Sequence, residues 1–404
     1  MISVFDLNIR HLGVALAVKR CGSISAASAF VNLSQPAVTQ AVANLEEAME
    51  QRLFNREPRG AVATDAGNIL LDRIEAALNL ITTAAVQVRR AARLTPIAHF
   101  ERIIAMAQLR ALIAVEQAGS YALAARQIGL AQPTVHRATS EIELLLGVPL
   151  LMRTGRTISS TAAGERMVRA IRLAMAELQG GIDDLQALSR RGAGQVRIGT
   201  LSLPPASLLP KALARFSRTH PHASVTVTEG IYEELLAELR NGGIDLLLGA
   251  LRDPVPVKDI VQRPLFVDDL SIVCAVTHPL AGTSMPAIRE LAGFPWIIGG
   301  KGAPVRRNFE AMFPSAGDRP ETCIEAGSIL IARGLLLEDN WLSLMSHDQF
   351  RMEKALGLLT TIGAPLPASH LNMGVTTRAD WRPTTTQQAM MAALQATAAQ
   401  RTAG

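Results

Sequence analysis

Aromatic side chains are scarce in this sequence: Phe, Trp and Tyr together make up 4% of its 404 residues. Proteins that hold single-stranded nucleic acid irrespective of sequence stack its bases on exposed aromatics, so that class is disfavoured. Cysteine is sparser still. Cys21, Cys274 and Cys323 are odd in number and widely spaced, without a CxxC or Cys/His cluster. Reduced thiols in a cytosolic protein are the plain expectation. Long apolar runs are missing too. Ile244–Leu251 and Ile329–Leu337 fall far short of the ~20 residues that cross a bilayer. Met1–Arg10 has no basic stretch leading into an apolar core, so no signal peptide is expected. The expectation is a cytoplasmic protein without a membrane partner. No nucleophile stands in known spacing from a base and oxyanion donors, so no catalytic residue and no enzymatic activity are expected. His220-Pro221-His222 lacks a third metal ligand and reads as a surface turn. Gly299-Gly300-Lys301-Gly302 lacks phosphate-loop spacing. It reads as a flexible loop from which Lys301 could meet a ligand acid. Neither metal nor cofactor is expected.

What is present is core-forming material. Hydrophobic residues make up 49% and charged residues 19%, enough for packed cores and without a disorder signature. The length suggests two to four domains at roughly 100–200 residues each. The net charge of +5 is unevenly placed. Residues 1–98 hold ten Lys/Arg against eight Asp/Glu, residues 99–194 eleven against eight, and residues 195–404 nineteen of each. A polyanion partner for the first half and a neutral one for the second are consistent with that split.

An internal repeat organises the first half. Gln35-Pro36 recurs as Gln132-Pro133, and the same offset of 97 pairs Gly22-Ser23 with Gly119-Ser120 and Ala27 with Ala124. It also pairs Leu33 with Leu130, Val38 with Val135, Glu46 with Glu143, Leu53 with Leu150 and Arg56 with Arg153. Arg59 with Arg156, Thr64 with Thr161 and Gly67 with Gly164 complete the register. One small domain is therefore present twice.

Each copy reads as three short helices, a wing and a long helix. Leu12, Ala15, Leu16 and Val18 lie at helical spacing before a stop at Gly22. Ser25 is placed to cap a helix holding Ala26–Val31, and Ser34 to cap a third with Pro36 in its first turn. Val38, Val42 and Leu45 face a core, leaving Thr39, Gln40 and Asn44 on the opposite face. Leu53-Phe54 and Ala61–Ala63 read as wing strands around a tip at Arg56–Gly60, followed by a long helix from Asp65 to about Arg90. Helix, tight turn and helix with a polar exposed face is the helix-turn-helix pattern. Its second helix fits the major groove of double-stranded DNA. Gln35, Ala37, Thr39 and Gln40 are the candidates for base contact beside Pro36. Ser34, Arg52, Arg56 and Arg59 are placed for phosphate or minor-groove contact.

The ordered motif Gly22-Ser23, Ala26-Ala27, Leu33–Gln40, Leu45-Glu46, Leu53-Phe54, Arg56 and Thr64-x-x-Gly67 resembles the DNA-binding domain of LysR-type transcriptional regulators. That family usually carries one such domain, so the second copy is a departure. There Ser25 becomes Ala122 and Ser34 becomes Ala131, removing two expected caps, while Thr39 and Gln40 become His136 and Arg137. Gln132, Thr134, His136, Arg137, Arg153 and Arg156 are its candidate DNA contacts. The copy reads either as a second DNA reader or as a module turned to packing or dimerisation. The long helices near 65–90 and 162–190 carry apolar stripes that suit packing on their own domain or a coiled-coil-like dimer seam. The resemblance implies the seam for at least one of them.

From Gln195 strands and helices alternate, the mark of a parallel α/β sheet. Strands are expected at Val196–Gly199, Val225–Thr228, Ile244–Leu248, Leu270–Ala275, Trp296–Ile298, Trp341–Met345 and Asn372–Thr377. Helices are expected at Leu208–Ser217, Tyr232–Asn241, Ile288–Leu291, Ser328–Leu336 and Thr386–Ala398, with a hinge at Arg190–Gly194. Gly194–Gly199, Leu208-Leu209-Pro210, Phe216, Pro221, Leu235, Leu239, Gly243-x-Asp245 and Gly249 resemble the effector domain of the same family. That domain is similar to periplasmic binding proteins and takes its ligand between two lobes. Strand ends then nominate Thr200, Ser202, Glu229, Gly230 and Arg252 as ligand contacts, and Ser328, placed to cap its helix, adds N–H groups for an anion.

The expected fold is therefore multidomain. Two tandem winged helix-turn-helix domains, 1–96 and 97–193, precede a two-lobed α/β effector domain, 194–404. Lobe I comprises 194–258 and 362–404, lobe II 259–361. The expected function is sequence-specific DNA binding and transcription regulation under a small-molecule effector; by family analogy that effector is a small organic acid. The expected partners are double-stranded DNA, the effector, further copies of the chain in a homodimer or homotetramer, and RNA polymerase. The rival readings are an architectural DNA-binding protein whose α/β half only assembles oligomers, and an enzyme or solute-binding protein with the repeats as interaction modules.

Overall fold

Asn8 accepts the Arg10 N–H at 3.0 Å and opens α1 (Ile9–Cys21). From there the computed structural model describes the chain element by element, over residues 2–57, 60–189, 193–201, 207–301, 303–315, 318–367 and 369–400. It divides into two units, Met1–Gly194 with Arg382–Thr386, and Gln195–Trp381 with Gln387–Gly404.

In the first unit one order of elements occurs twice. The first run is α1, α2 (Ile24–Val31), α3 (Gln35–Met49), β1 (Phe54–Glu57), β2 (Gly60–Ala63) and α4 (Asp65–Ala91). The second is α5 (Met106–Ala118), α6 (Tyr121–Ile128), α7 (Gln132–Leu146), β3 (Leu151–Thr154), β4 (Thr157–Ser160) and α8 (Ala162–Ser189). The repeated residues prove to be the joints. Gly22 and Gly119 end α1 and α5 at φ 69° and 62°, a region glycine enters without a Cβ penalty. Their carbonyls accept the Ala61 and Ile158 N–H groups at 2.8 Å and tie each hairpin down. Glu46 Oε1 accepts from Leu53 N at 2.7 Å and Phe54 N at 3.1 Å, and Glu143 repeats this with Leu150 and Leu151 at 2.7 and 2.9 Å. Thr64 and Thr161 cap the long helices through Gly67 and Gly164 at 2.9 and 3.0 Å. A Cβ on either glycine would overlap the Leu53 or Leu150 carbonyl.

One expected cap is displaced. Ser23, not Ser25, starts α2 by accepting from Ala26 N at 3.1 Å. Ser25 lies inside that helix and accepts from Gln35 Nε2 at 3.1 Å. Ser34 does cap α3, through Ala37 N, while Ala131 leaves α7 without a side-chain cap.

The long helices pack on each other within the chain. Leu70, Ile74, Leu78 and Ile81 of α4 and Met167, Ile171, Leu178 and Ile182 of α8 join one core shared by both copies. The order is antiparallel. Leu70 and Arg73 near the start of α4 lie against Gly181 and Gly180 late in α8, while Arg89 near the end of α4 reaches the Leu146 carbonyl just ahead of β3 and α8.

The second unit holds two five-stranded sheets. Its first elements are β5 (Gly194–Leu201), α9 (Leu208–Thr219), β6 (Ala223–Gly230), α10 (Tyr232–Arg240), β7 (Leu246–Ala250), β8 (Ile260–Asp268) and β9 (Leu270–Ala275). Then come α11 (Ile288–Ala292), β10 (Trp296–Ile298), α12 (Pro304–Met312), β11 (Cys323–Glu325), α13 (Ile329–Glu338) and β12 (Leu342–Ser346). The last are α14 (His347–Ala355), β13 (Leu359–Ile362), β14 (Leu371–Arg378) and α15 (Thr385–Ala399). The sheet orders are β6-β5-β7-β14-β8 and β11-β10-β12-β9-β13. The expectation of a parallel sheet needs correction. β5–β7 and β10 with its neighbours are parallel, but β14 and β9 run antiparallel to both of theirs. The chain passes from one sheet to the other at Asp269 and returns before Leu371, so the last strand of the first sheet comes from the far end of the sequence. The crossings are bonded: Leu270 N donates to Ser369 Oγ at 3.1 Å, and Leu366 N to the Leu270 carbonyl at 2.8 Å. Among the described residues no helix is long and apolar enough to cross a membrane.

Candidate nucleic-acid interface and ligand pocket

Helix α3 has two faces. Val38, Ala41, Val42 and Leu45 are buried against the unit beneath, while Gln35, Pro36, Ala37 and Gln40 are exposed. Thr39 is half-buried, at the rim of the free face. Gln40 Nε2 donates to Asn44 Oδ1 at 2.7 Å, which fixes the direction of its amide. Arg52 is exposed where the chain enters β1. Arg56 has its backbone in β1, paired with Ala61, but its side chain and all of Arg59 lie outside the described residues.

The second copy presents the same face with other chemistry. Gln132, Thr134, His136 and Arg137 are exposed on α7 over buried Val135 and Ile142. His136 packs on Tyr121 with ring centroids 4.9 Å apart. Arg137 Nε donates to Glu141 at 2.8 Å, and Gln108 Nε2 donates to the other oxygen at 3.0 Å. The hydrogen bonds from Gln108 and then Arg137 hold the Glu141 carboxyl below its ordinary pKa. Arg153 and Arg156 are exposed around the β3–β4 turn, with Arg153 Nε donating to the Gly155 carbonyl at 3.2 Å.

In the second unit a cavity of about 230 Å³ lies where ends of both sheets face each other. It brings together two of the six nominated residues, Gly230 and Arg252, with Tyr232, Glu233, Lys301, Ser346 and Gln349. The Arg252 guanidinium lies 4.2 Å from the Tyr232 ring centroid. Its Nη1 is buried without a hydrogen-bond partner among the described residues, as is the Tyr232 hydroxyl. Burial pushes the Arg252 pKa down, with Tyr232 and Glu233 opposing; burial pushes the Tyr232 phenol up, against Arg252. The Gln262 side chain grips the Arg252 backbone, accepting from its N–H at 2.7 Å and donating to its carbonyl at 2.8 Å. Arg252 is therefore a positioned cation with an unused donor, the feature that selects an anionic group.

Three of the other nominated residues, Thr200, Glu229 and Ser328, are not among its lining residues. Glu229 is exposed on β6 and is not part of its wall. Ser328 caps α13 by accepting from Ile331 N at 3.5 Å, and its neighbour Gly327 lines the cavity instead. Thr200 is buried with an unpartnered hydroxyl but points away from the lining residue Leu201, as alternation along β5 requires. Ser202 lies outside the described residues, as do Arg190, Arg191 and Gly192 of the expected hinge. Tyr232, Ser346 and Gln349 were not legible as site residues. Their one sequence signal is Ser346-x-x-Gln349, a helix-capping pattern just after a strand; Gln349 Oε1 does accept from Ser346 N at 2.8 Å. A larger groove of about 450 Å³ is lined by Lys211, Arg215, Arg218 and Arg351. These cations are exposed and none leaves a buried donor unpaired among the described residues, so the smaller cavity is the better ligand candidate. His220 stacks on Phe216 with ring centroids 4.6 Å apart, a packing role.

The profile of the bacterial regulatory helix-turn-helix proteins of the lysR family matches residues 9–68 and again 106–165. The profile of the LysR substrate binding domain matches residues 189–399. The chain belongs to the LysR family. Over 402 residues it is 29% identical to the HTH-type transcriptional regulator GalR of Pseudomonas putida, covering 98% of each chain. Its fold is similar to full-length OxyR of Pseudomonas aeruginosa, with a TM-score of 0.54 at 20% identity, over 72% of this chain and 93% of that one. It is also similar to full-length CbnR in complex with its target DNA, with a TM-score of 0.50 at 20% identity, over 72% of this chain and 98% of that one. This LysR-family member is a DNA-binding transcription regulator with an effector-binding domain, and not an enzyme.

Proposed function

We propose that the exposed face of α3 reads base edges in the major groove, with Gln35, Pro36, Ala37, Thr39 and Gln40 as readers and Ser34, Arg52, Arg56 and Arg59 on the backbone. The observation that carries this is the free polar face of a helix whose other side is fully anchored. We extend the reading to α7 and its hairpin, with Gln132, Thr134, His136, Arg137, Arg153 and Arg156. In this reading 1–96 and 97–193 are two winged helix-turn-helix domains, and 194–404 is a two-lobed effector domain of the periplasmic-binding-protein kind, working in the cytoplasm. The effector is a small organic acid whose carboxylate meets Arg252, with Gly230 beside it. Ligand and DNA affinities are then linked reciprocally.

The test is a binding titration of the full chain on duplexes selected from a random library, with and without a panel of small carboxylic acids. Sequence-selective binding that shifts with one acid supports the proposal. Binding blind to sequence, or to every acid on the panel, removes the corresponding half.

A further inference from the structure

The apolar stripes of two long helices can form a seam between separate chains. Here both helices belong to one chain, and the residues at their contact are not the same on the two sides. Arg73 of α4 is buried, its side chain 8% exposed. Its Nη1 donates to Glu177 at 3.0 Å and to the Arg382 carbonyl at 2.7 Å, and its Nη2 donates to Asp184 at 3.2 Å. Gly180 and Gly181 leave room for it; a Cβ on Gly181 would stand 3.2 Å from Arg73 Cβ and 3.0 Å from Leu70.

At the repeat offset the counterpart of Arg73 is Ala170. The counterparts of Glu177, Gly180, Gly181 and Asp184 are Leu80, Thr83, Ala84 and Gln87. A seam of α4 on α4 would bury Arg73 against Leu80, Thr83 and Gln87 with no carboxylate. A seam of α8 on α8 would leave Glu177 and Asp184 uncompensated over a glycine gap. An unpaired buried charge is strongly unfavourable, so the charges and the notch select the unlike pair.

The flanking turns are exchanged in the same two-fold sense. The turn Val4–Asp6 packs on α5 and α8, and its counterpart Phe100–Arg102 packs on α1 and α4. Contact of i with j answered by j with i is the signature of a two-fold interface.

We propose that Met1–Gly194 is a single-chain two-fold reader: α4 is sealed by α8 of the same chain, and α3 and α7 address two unlike half-sites on one duplex. The half of this concerning DNA rests on the proposed function; the half concerning the seam does not. Operator symmetry mirrors protein symmetry. With Thr39 and Gln40 on one reader and His136 and Arg137 on the other, the operator is not a palindrome.

The seam is tested in the full chain by Leu70→Cys with Gly181→Cys, oxidised and run without reductant, against wild type. The expected product is a cross-link within single chains. A two-chain product overturns the proposal, as does a folded variant that fails to link. So does linkage between chains in Leu70→Cys with Ala84→Cys, the pair an α4–α4 seam would join. Should the cysteine variants fail to fold, Arg73→Glu decides. It lowers duplex affinity at least tenfold, and adding Glu177→Arg restores most of it; no restoration overturns the seam. For the DNA half, sites selected from a random library are expected to hold two different half-sites, with Arg137→Ala altering one of them. A perfect palindrome, or a preference indifferent to Arg137→Ala, overturns that half and leaves the seam standing. Absence of any duplex binding by an internally cross-linked chain overturns it together with the proposed function.

Discussion

Gln40 and Asn44 are joined at 2.7 Å one turn apart on α3, and the same two positions on α7 hold Arg137 and Glu141 at 2.8 Å. In both copies a candidate reader is aimed by its neighbour, once through an amide and once through an ion pair. Gln40→Ala is expected to cost about 1–3 kcal/mol of discrimination at one base pair while leaving other positions unchanged. Affinities for single-base variants of a selected site measure this. Glu141→Gln is expected to raise affinity for all duplexes severalfold and steepen the salt dependence, because it removes an anion from a surface facing phosphates. An unchanged salt slope would place α7 off the DNA.

The cap difference gives a stability prediction of opposite signs. Ser34 and Ala131 have nearly the same backbone, φ −69°, ψ 151° and φ −72°, ψ 142°. Ser34→Ala should therefore destabilise by roughly 0.5–2 kcal/mol, and Ala131→Ser should stabilise by up to a similar amount. Denaturant midpoints at constant slope report both.

Gly164→Ala is expected to be far worse, at about 3 kcal/mol or more, since its Cβ would occupy the space of the Leu150 carbonyl. Gly67→Ala should match it in the first copy. Soluble yield and thermal unfolding are the measurements.

Much of this scaffold was legible because its joints are repeated. Glu46 and Glu143, Thr64 and Thr161, and Gly67 and Gly164 stand out in the sequence as pairs, and each pair makes the same bonds. The displaced cap at Ser23 shows the limit: Ser23 and Ser25 both suit the position, and only the backbone chooses. In the second half β8 was missed because Pro264 interrupts it. Pro264 stands opposite Gly374 at a register shift on an edge strand, a place where proline does no harm. Helix α14 was missed because it follows β12 with no turn residue between them, and most of its residues are polar. The cavity was only half legible, since Gly230, Arg252, Lys301 and Gln349 meet through sheet topology that one sequence does not carry.

Arg252→Ala should weaken binding of a responsive acid at least tenfold and abolish its effect on DNA affinity. Arg252→Lys should restore little, because an ammonium neither forks a carboxylate nor stacks flat on Tyr232. Calorimetric titration of the acid measures the first, and DNA titration in its presence the second.

Stability should fall as the solution is acidified. His278 is buried and accepts the Leu280 N–H on Nδ1 at 3.0 Å. Burial pushes its pKa below the ordinary 6.5, only partly offset by Asn340 and Asp339. The unfolded chain then binds its proton first, so the contribution is intact above about pH 6.5 and is lost as pH drops from there toward the lower folded value. His11, also lowered by burial, acts in the same sense. The unfolding midpoint should decline over that range, and His278→Gln should flatten the decline.

Linking α4 to α8 through the chain between them changes how occupancy scales. Two separate subunits must find each other before they grip a site, and dilution parts them. Joined readers hold each other at an effective concentration on the order of millimolar, whatever the amount of protein in the cell. On the proposed reading of α3 and α7, the Arg73 contact lets the N-terminal unit engage DNA in proportion to the first power of chain number, so even a regulator kept at a handful of copies arrives with its paired grip already assembled.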